Sequence, residues 1–154
     1  VKDRALKIAL CAIKFQLLKT ETGKNMLFNP KEAIRFEGDT GPYILYSYAR
    51  ASSILRKAEI PIQAEPWETN EYEARLLKKL DQFPDIVKLS SDRLTPSTLA
   101  NYALELAQSF NEFYHECPVI KSDIPGERLA LVSAFRNVSG KCLELLGIDK
   151  VEEM

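Results

Sequence analysis

The chain has 154 residues, 45% of them hydrophobic and 28% charged, with a formal net charge of −1. That suffices for one domain with a core of its own, and the mix is ordinary for a globular protein. No apolar run reaches the roughly 18 residues that span a membrane, and the longest apolar-rich stretch, Ala5 to Leu18, is interrupted by Lys7, Lys14 and Gln16 and lacks a cleavage signature. The near-zero charge by itself argues against non-specific nucleic-acid binding, yet it is unevenly spread. Residues 1–57 hold 11 Lys and Arg against 5 Asp and Glu, residues 58–95 hold 5 against 8, and residues 96–154 hold 5 against 9. A basic first third suits a phosphate-facing surface, although lysine-rich helices are also simply well solvated.

In chain order, residues 4–19 predict a helix with two apolar stripes, Leu6, Leu10, Ile13 and Leu17 on one line and Ile8, Ala12 and Phe15 on another. A polar turn, Thr20 to Asn25, leads to Asn29-Pro30, a cap and first-turn proline that start a short helical piece ending near Phe36. Next comes Phe36-Glu37-Gly38-Asp39-Thr40-Gly41-Pro42-Tyr43-Ile44-Leu45-Tyr46-Ser47-Tyr48-Ala49-Arg50. Its glycines and proline make a turn, Asp39 or Thr40 caps, and a helix runs to about Lys57. Ile44, Tyr48, Ala51, Leu55 and Ala58 form the apolar stripe of that helix. Tyr43, Tyr46, Arg50, Ser53 and Lys57 lie off it, with Ile54 among them, and suggest a surface that stacks on and neutralises something.

Glu59 to Pro66 is a linker punctuated by Pro61 and Pro66, and Pro66 is expected to open a helix ending near Phe83 with Tyr72, Leu76, Leu80 and Phe83 inward. Asp85 is expected to cap a short helix after Pro84. Thr95-Pro96 starts a long helix whose buried face carries Leu99, Tyr102, Ala103, Leu106, Phe110 and Phe113, with Tyr114 at its edge, and Cys117-Pro118 ends it. The last helix, Glu127 to Leu146, is apolar almost all round, the mark of a central bundle helix. Gly140 would admit a close neighbour, Gly147 is placed for a left-handed stop, and Ile148 folds back on the last turn.

Catalytic and metal chemistry find little support. There is a single histidine, His115, and the three cysteines, Cys11, Cys117 and Cys142, are odd in number, far apart and without a Cys-x-x-Cys pair. His115 and Cys117 make only one close pair where zinc sites usually need two, so free thiols are expected. There is no Gly-rich phosphate loop. Tyr48, Tyr72 and Tyr102 are assigned to the core.

The stretch FEGDTGPYILYSYAR resembles the arginyl-tRNA synthetase segment that joins the catalytic domain to the anticodon-binding domain, with the pattern FEG-x-TGPY-x-x-Y-x-x-x-R. AIKFQLL and LFNPKEAIRFEG are similar to the tail of the catalytic half, LLKKLDQFPDIV to the second helix of the anticodon-binding domain, and GIDKVEEM to the family's ending. Of the Asp-Ala-Leu-Arg pattern only a relative is present, Glu127-Arg128-Leu129-Ala130-Leu131, and neither class I nucleotide-binding signature occurs.

The resemblance implies an all-α bundle of about five helices over residues 42–154, with residues 1–41 as a helical appendage, the tail of a missing catalytic half that leaves an apolar face exposed. It implies Tyr43, Tyr46, Tyr114 and Met154 as residues that enclose splayed anticodon bases; Arg50 and Lys57, the charges off the apolar stripe of the same helix, are expected as weaker phosphate contacts. Single-stranded bases are read by stacking and edge hydrogen bonds, and methionine adapts to a ring. The implied partner is the anticodon arm of the tRNA for arginine, whose central base is always C because every arginine codon has a central G. The implied setting is the cytoplasm, with ATP and Mg used by the full-length enzyme and no catalytic residue, cofactor or metal in these residues. Two alternatives stand beside it: the anticodon-binding domain of another class I synthetase such as the cysteinyl type, or a helical protein–protein docking module.

Overall fold

The computed structural model describes residues 2–63 and 65–154. Its regular elements are α1 (Lys2–Leu18), α2 (Pro30–Ala33), α3 (Gly41–Lys57), α4 (Glu71–Asp81), α5 (Phe83–Asp92), α6 (Pro96–Glu116) and α7 (Pro125–Leu145), with no strand among the described residues. The fold is therefore all-α, a five-helix bundle of α3 to α7 preceded by α1 and the short α2.

Local chemistry sets the helix ends. Thr40, rather than Asp39, caps α3: its hydroxyl accepts from the Tyr43 N–H at 3.2 Å and donates to the Arg35 carbonyl at 2.6 Å. Gly41 follows because α1 passes directly against it. A Cβ there would lie 2.7 Å from the Cys11 carbonyl oxygen and the Phe15 Cβ. At the end of α7 Gly147 takes φ +66°, the Ile148 N–H reaches back to the Leu143 carbonyl and the Gly147 N–H to that of Glu144. That hydrogen-bond pair closes α7 with the expected left-handed stop, and Ile148 is buried beneath it.

Two expected boundaries move. The fourth helix begins at Glu71, not Pro66, because Asn70 and Glu73 form a reciprocal capping box. The fifth begins at Phe83, with Pro84 in its first turn, so Asp85 lies inside the helix and does not cap it.

The central helix is α6, not α7. It packs against α1, α3, α4, α5 and α7, and Phe110, Phe113, Leu106, Ala103 and Ala107 on it are wholly buried. Helix α7 keeps Leu145 exposed at one end. Gly140 of α7 admits the Tyr48 ring of α3, which a Cβ would meet at 3.0 Å. Helix α3 lies between α1 on one side and α6 and α7 on the other, so Leu45, Ser47, Ala49 and Ser52 are buried as well as Ile44, Tyr48 and Ala51 of its apolar stripe, whose last members Leu55 and Ala58 are half-buried.

The two stripes of α1 divide as their spacing predicts. Ala12 and Phe15, together with Cys11, are buried against α3, and Ile8 is half-buried. Leu6, Leu10, Ile13 and Leu17 remain exposed, as do Phe28, Ile34 and Phe36.

A buried ion pair ties α4 to α7. The Glu73 carboxylate, 1% exposed, accepts from Arg128 Nε at 2.7 Å, from the Trp67 indole at 3.2 Å and from the Asn70 backbone N–H at 3.0 Å. Burial alone would raise its pKa, but these donors outweigh it and hold the carboxyl below the ordinary glutamate range. Burial pushes the Cys11 and Cys142 thiols up to about 12, so both are neutral packing groups.

Candidate nucleic-acid interface

Three distant stretches meet at one depression of about 630 Å³. Helix α3 contributes Tyr46, Arg50, Ser53 and Lys57, the last turn of α6 contributes Tyr114, and the tail after Gly147 contributes Glu152 and Met154. The crossing of α3 and α6 and the reversal at Gly147 are what bring them together.

At its centre is Arg50. Its guanidinium carbon lies 4.6 Å from the Tyr46 ring centroid and 4.9 Å from that of Tyr114, within cation–π range of both. It also donates to the Tyr46 hydroxyl at 3.0 Å and to Asn111 Oδ1. Arg50 is therefore a fixed part of an aromatic site as well as a positive charge. The rings are supported from behind: Phe36 meets Tyr46 edge-on at 6.4 Å, while Tyr114 lies at 6.4 Å and 23° from Phe110, which stacks on Phe135 at 3.9 Å. Tyr46 is nevertheless 38% exposed, Tyr114 40% and Met154 40%. Exposed, backed rings beside a guanidinium are suited to holding unpaired bases.

The tail that carries Met154 is bound at several points. Ile148 and Val151 are buried. Glu152 accepts from the Tyr48 hydroxyl at 2.8 Å and from Arg136 at 3.1 Å, and Arg136 also donates to Ser52. Glu153 pairs with Arg56 at 3.2 Å, and its carbonyl accepts from Arg4. Partial burial would raise the Glu152 pKa, but the hydrogen bonds of Tyr48, Ser52 and Arg136 carry it below the ordinary value. Tyr48, assigned to the core from sequence, thus has a second role as a tail anchor.

Tyr43 stands apart. It lines a neighbouring depression with Tyr72, Gln108, Asn111, Glu112, His115 and Glu116, on the other side of Asn111 from Tyr114. Five of the six side chains singled out from sequence, Tyr46, Arg50, Lys57, Tyr114 and Met154, share the first depression. Arg4, Arg56 and Ile120 also line it and were not marked by the sequence. His115 is exposed, and Cys117 is buried against the Asn70 amide, which donates to its sulfur at 3.3 Å. Among the described residues no three His, Cys, Asp or Glu stand together to hold a metal.

The family model described as the DALR anticodon binding domain matches residues 44–154. The chain belongs to that family. Two arginine–tRNA ligases illustrate the similarity: that of Clostridium perfringens (strain 13) is 43% identical and that of Methanospirillum hungatei JF-1 42%, each over 99% of this chain. The chain spans 28% of the length of these curated relatives. Among solved structures, the Thermus thermophilus arginyl-tRNA synthetase superposes with a TM-score of 0.91 at 38% identity, covering 99% of this chain and 27% of that one. The Plasmodium falciparum arginyl-tRNA synthetase superposes at 0.88 with 29% identity, covering 99% and 28%. In this DALR chain the Tyr46–Arg50–Tyr114–Met154 depression lies within the matched residues, while Arg4 on its rim precedes them.

Proposed function

We propose that this DALR domain is the anticodon-binding part of an arginine–tRNA ligase and holds the central C of the anticodon in the depression around Arg50. The observation that supports this most directly is the meeting of Tyr46 and Tyr114 around one guanidinium, with Met154 lining the same depression, from stretches far apart in the chain. Rings exposed on one side and backed on the other suit a single flipped-out base, and the flexible methionine adapts to its edge. Lys57, with Arg4 and Arg56 on the rim, supplies charge for the phosphates, which fixes register without reading sequence.

Residues 42–154 form the binding domain in this reading, and residues 1–41 belong to the side that faces the catalytic half. Ligation of arginine to its tRNA would take place on that half, in the cytoplasm. Neither class I nucleotide-binding signature occurs in these residues, so the chain on its own is expected to show no arginine-dependent ATP–pyrophosphate exchange, and the ATP and Mg of the reaction would be held by the catalytic half.

The test is binding of the 154-residue chain to the arginine tRNA, to the same tRNA with U at the central anticodon position, and to a non-cognate tRNA, across a salt series. Tighter binding of the first, with affinity falling as salt rises, is expected. Equal binding of all three would sink the reading.

A further inference from the structure

We propose that Asn111 is a positioning residue of this interface: it sets the orientation of the Arg50 guanidinium between Tyr46 and Tyr114, and through it the preference for the base bound there. The inference rests on the anticodon-binding reading and extends it to a residue that does not itself line the depression around Arg50, Tyr46 and Met154 but lines the adjoining one, which shares Arg50 and Tyr114 with it.

The argument is one of donors and acceptors. Asn111 sits on α6 one turn before Tyr114, half-buried between α6 and α3. A guanidinium only donates, so the Asn111 atom that meets Arg50 NH1 must be the amide oxygen. The amide nitrogen then faces Ser47 Oγ, at 2.7 Å. It donates there, so Ser47 must accept. Ser47 therefore gives its single proton elsewhere, and it does so to the Tyr43 carbonyl one turn back on α3, at 2.9 Å. Each group in the chain Tyr43 carbonyl, Ser47, Asn111, Arg50 has one role left to it by its neighbour. Ser47 is fully buried, so water cannot offer it another arrangement.

The far end of the chain is the useful one. Arg50 spends part of its donors on Asn111 and on the Tyr46 hydroxyl. The rest stay free for a ligand, in a plane that Asn111 fixes. An arginine held only by its two aromatic neighbours would keep a single directed N–H, the one given to the Tyr46 hydroxyl, and could pivot about it, because ring faces attract the cation without directing its N–H groups. The Asn111 oxygen supplies the second fixed point. Fixed donors distinguish C from U at a central base, because the ring nitrogen that is an acceptor in cytosine carries a proton in uracil. A rotating guanidinium would serve both.

The test is a double-mutant cycle on the 154-residue chain, read by binding of a synthetic anticodon stem-loop carrying C or U at the central position. Asn111→Ala should weaken the C-containing loop about tenfold, the size of one hydrogen bond to a charged group, and leave the U-containing loop nearly unchanged. Arg50→Ala should weaken it at least as much, and the double variant should equal Arg50→Ala alone, since a residue acting through Arg50 has nothing to act on once Arg50 is gone. Asn111→Asp keeps an acceptor for Arg50, with the Ser47 proton turned toward it, and should restore the preference for C that Asn111→Ala loses. A purely structural Asn111 would give additive losses and equal losses on both loops, and either result overturns the proposal. So does an Asn111→Ala variant that binds and discriminates as the wild type does. Wild-type chain that binds neither loop would instead remove the anticodon reading itself, and this inference with it.

Discussion

Tyr114 is the side chain whose removal speaks most directly to the interface. It is exposed on one face and lies against Phe110 on the other, so Tyr114→Ala removes a stacking surface without opening the core. We expect it to weaken binding of the arginine tRNA by about 1–3 kcal/mol and to blur the preference for C over U. Lys57→Ala, in contrast, should weaken all tRNAs alike and flatten the salt dependence, as loss of a phosphate contact does. Filter binding across salt separates the two, and equal losses for both variants on all tRNAs would count against a base-stacking Tyr114. At this scale the sequence was partly legible. Tyr46 and Arg50 are one helical turn apart and both off the apolar stripe, which marks a shared outward face. Tyr43 was grouped with them, but a three-residue step leaves a side chain roughly 60° round the helix, and that offset turns Tyr43 toward α4 and the Tyr72 side. Asn111 gave no signal, because its partners lie 61 and 64 residues away and no periodicity reaches that far.

Among the elements, the end of α7 carries a direct consequence for binding. Gly147 holds φ +66°, and an L-residue there costs about 1–2 kcal/mol. A Cβ meets nothing within 4 Å, so the cost is purely one of backbone conformation. Gly147→Ala should lower stability by that amount in urea titration and should also impair tRNA binding, because the tail would leave its course and take Met154 with it. Unchanged binding in that variant would separate Met154 from the interface. The stop itself was plain in the sequence as Gly147-Ile148 after an apolar helix. The start of α4 was equally written there, as Asn70 three residues before Glu73, but the nearer and louder signal was Pro66. Proline marks where a helix can begin, whereas a reciprocal cap marks where two backbone donors are satisfied, and here the second prevailed. The primacy of α6 over α7 was hidden for a different reason. Apolarity all round a helix shows how much of it is buried, not how many neighbours bury it.

At the scale of the whole molecule, two carboxylates link the packing to pH. Glu73 joins α4 to α7, and Glu152 joins the tail to α3 and α7. Both have folded-state pKa values below the ordinary glutamate value. A depressed pKa contributes stability that is present above the unfolded-state value, about 4.3, and is lost as pH falls through the folded-state value. The melting temperature should therefore be nearly flat from about pH 7 to 5 and fall below about pH 4.3. Glu73→Gln should melt lower at pH 7 by about 1–3 kcal/mol of stability, and its difference from the wild type should shrink in acid. A constant difference across the whole range would show that the charge on Glu73 does not matter to the fold.

The rings themselves offer an optical readout. Phe135, Phe110 and Tyr114 follow one another from the core to the surface, and Arg50 and Tyr46 extend the series to Phe36. Asymmetrically packed aromatic side chains give near-ultraviolet circular dichroism, and a base set down on Tyr114 would couple to that band. The single tryptophan, Trp67, is tied to Glu73 at the start of α4 and lines no part of the depression, so indole fluorescence would stay silent while the tyrosine dichroism moved. Occupancy could then be followed without a label, with the silent tryptophan as an internal check that the fold had not changed.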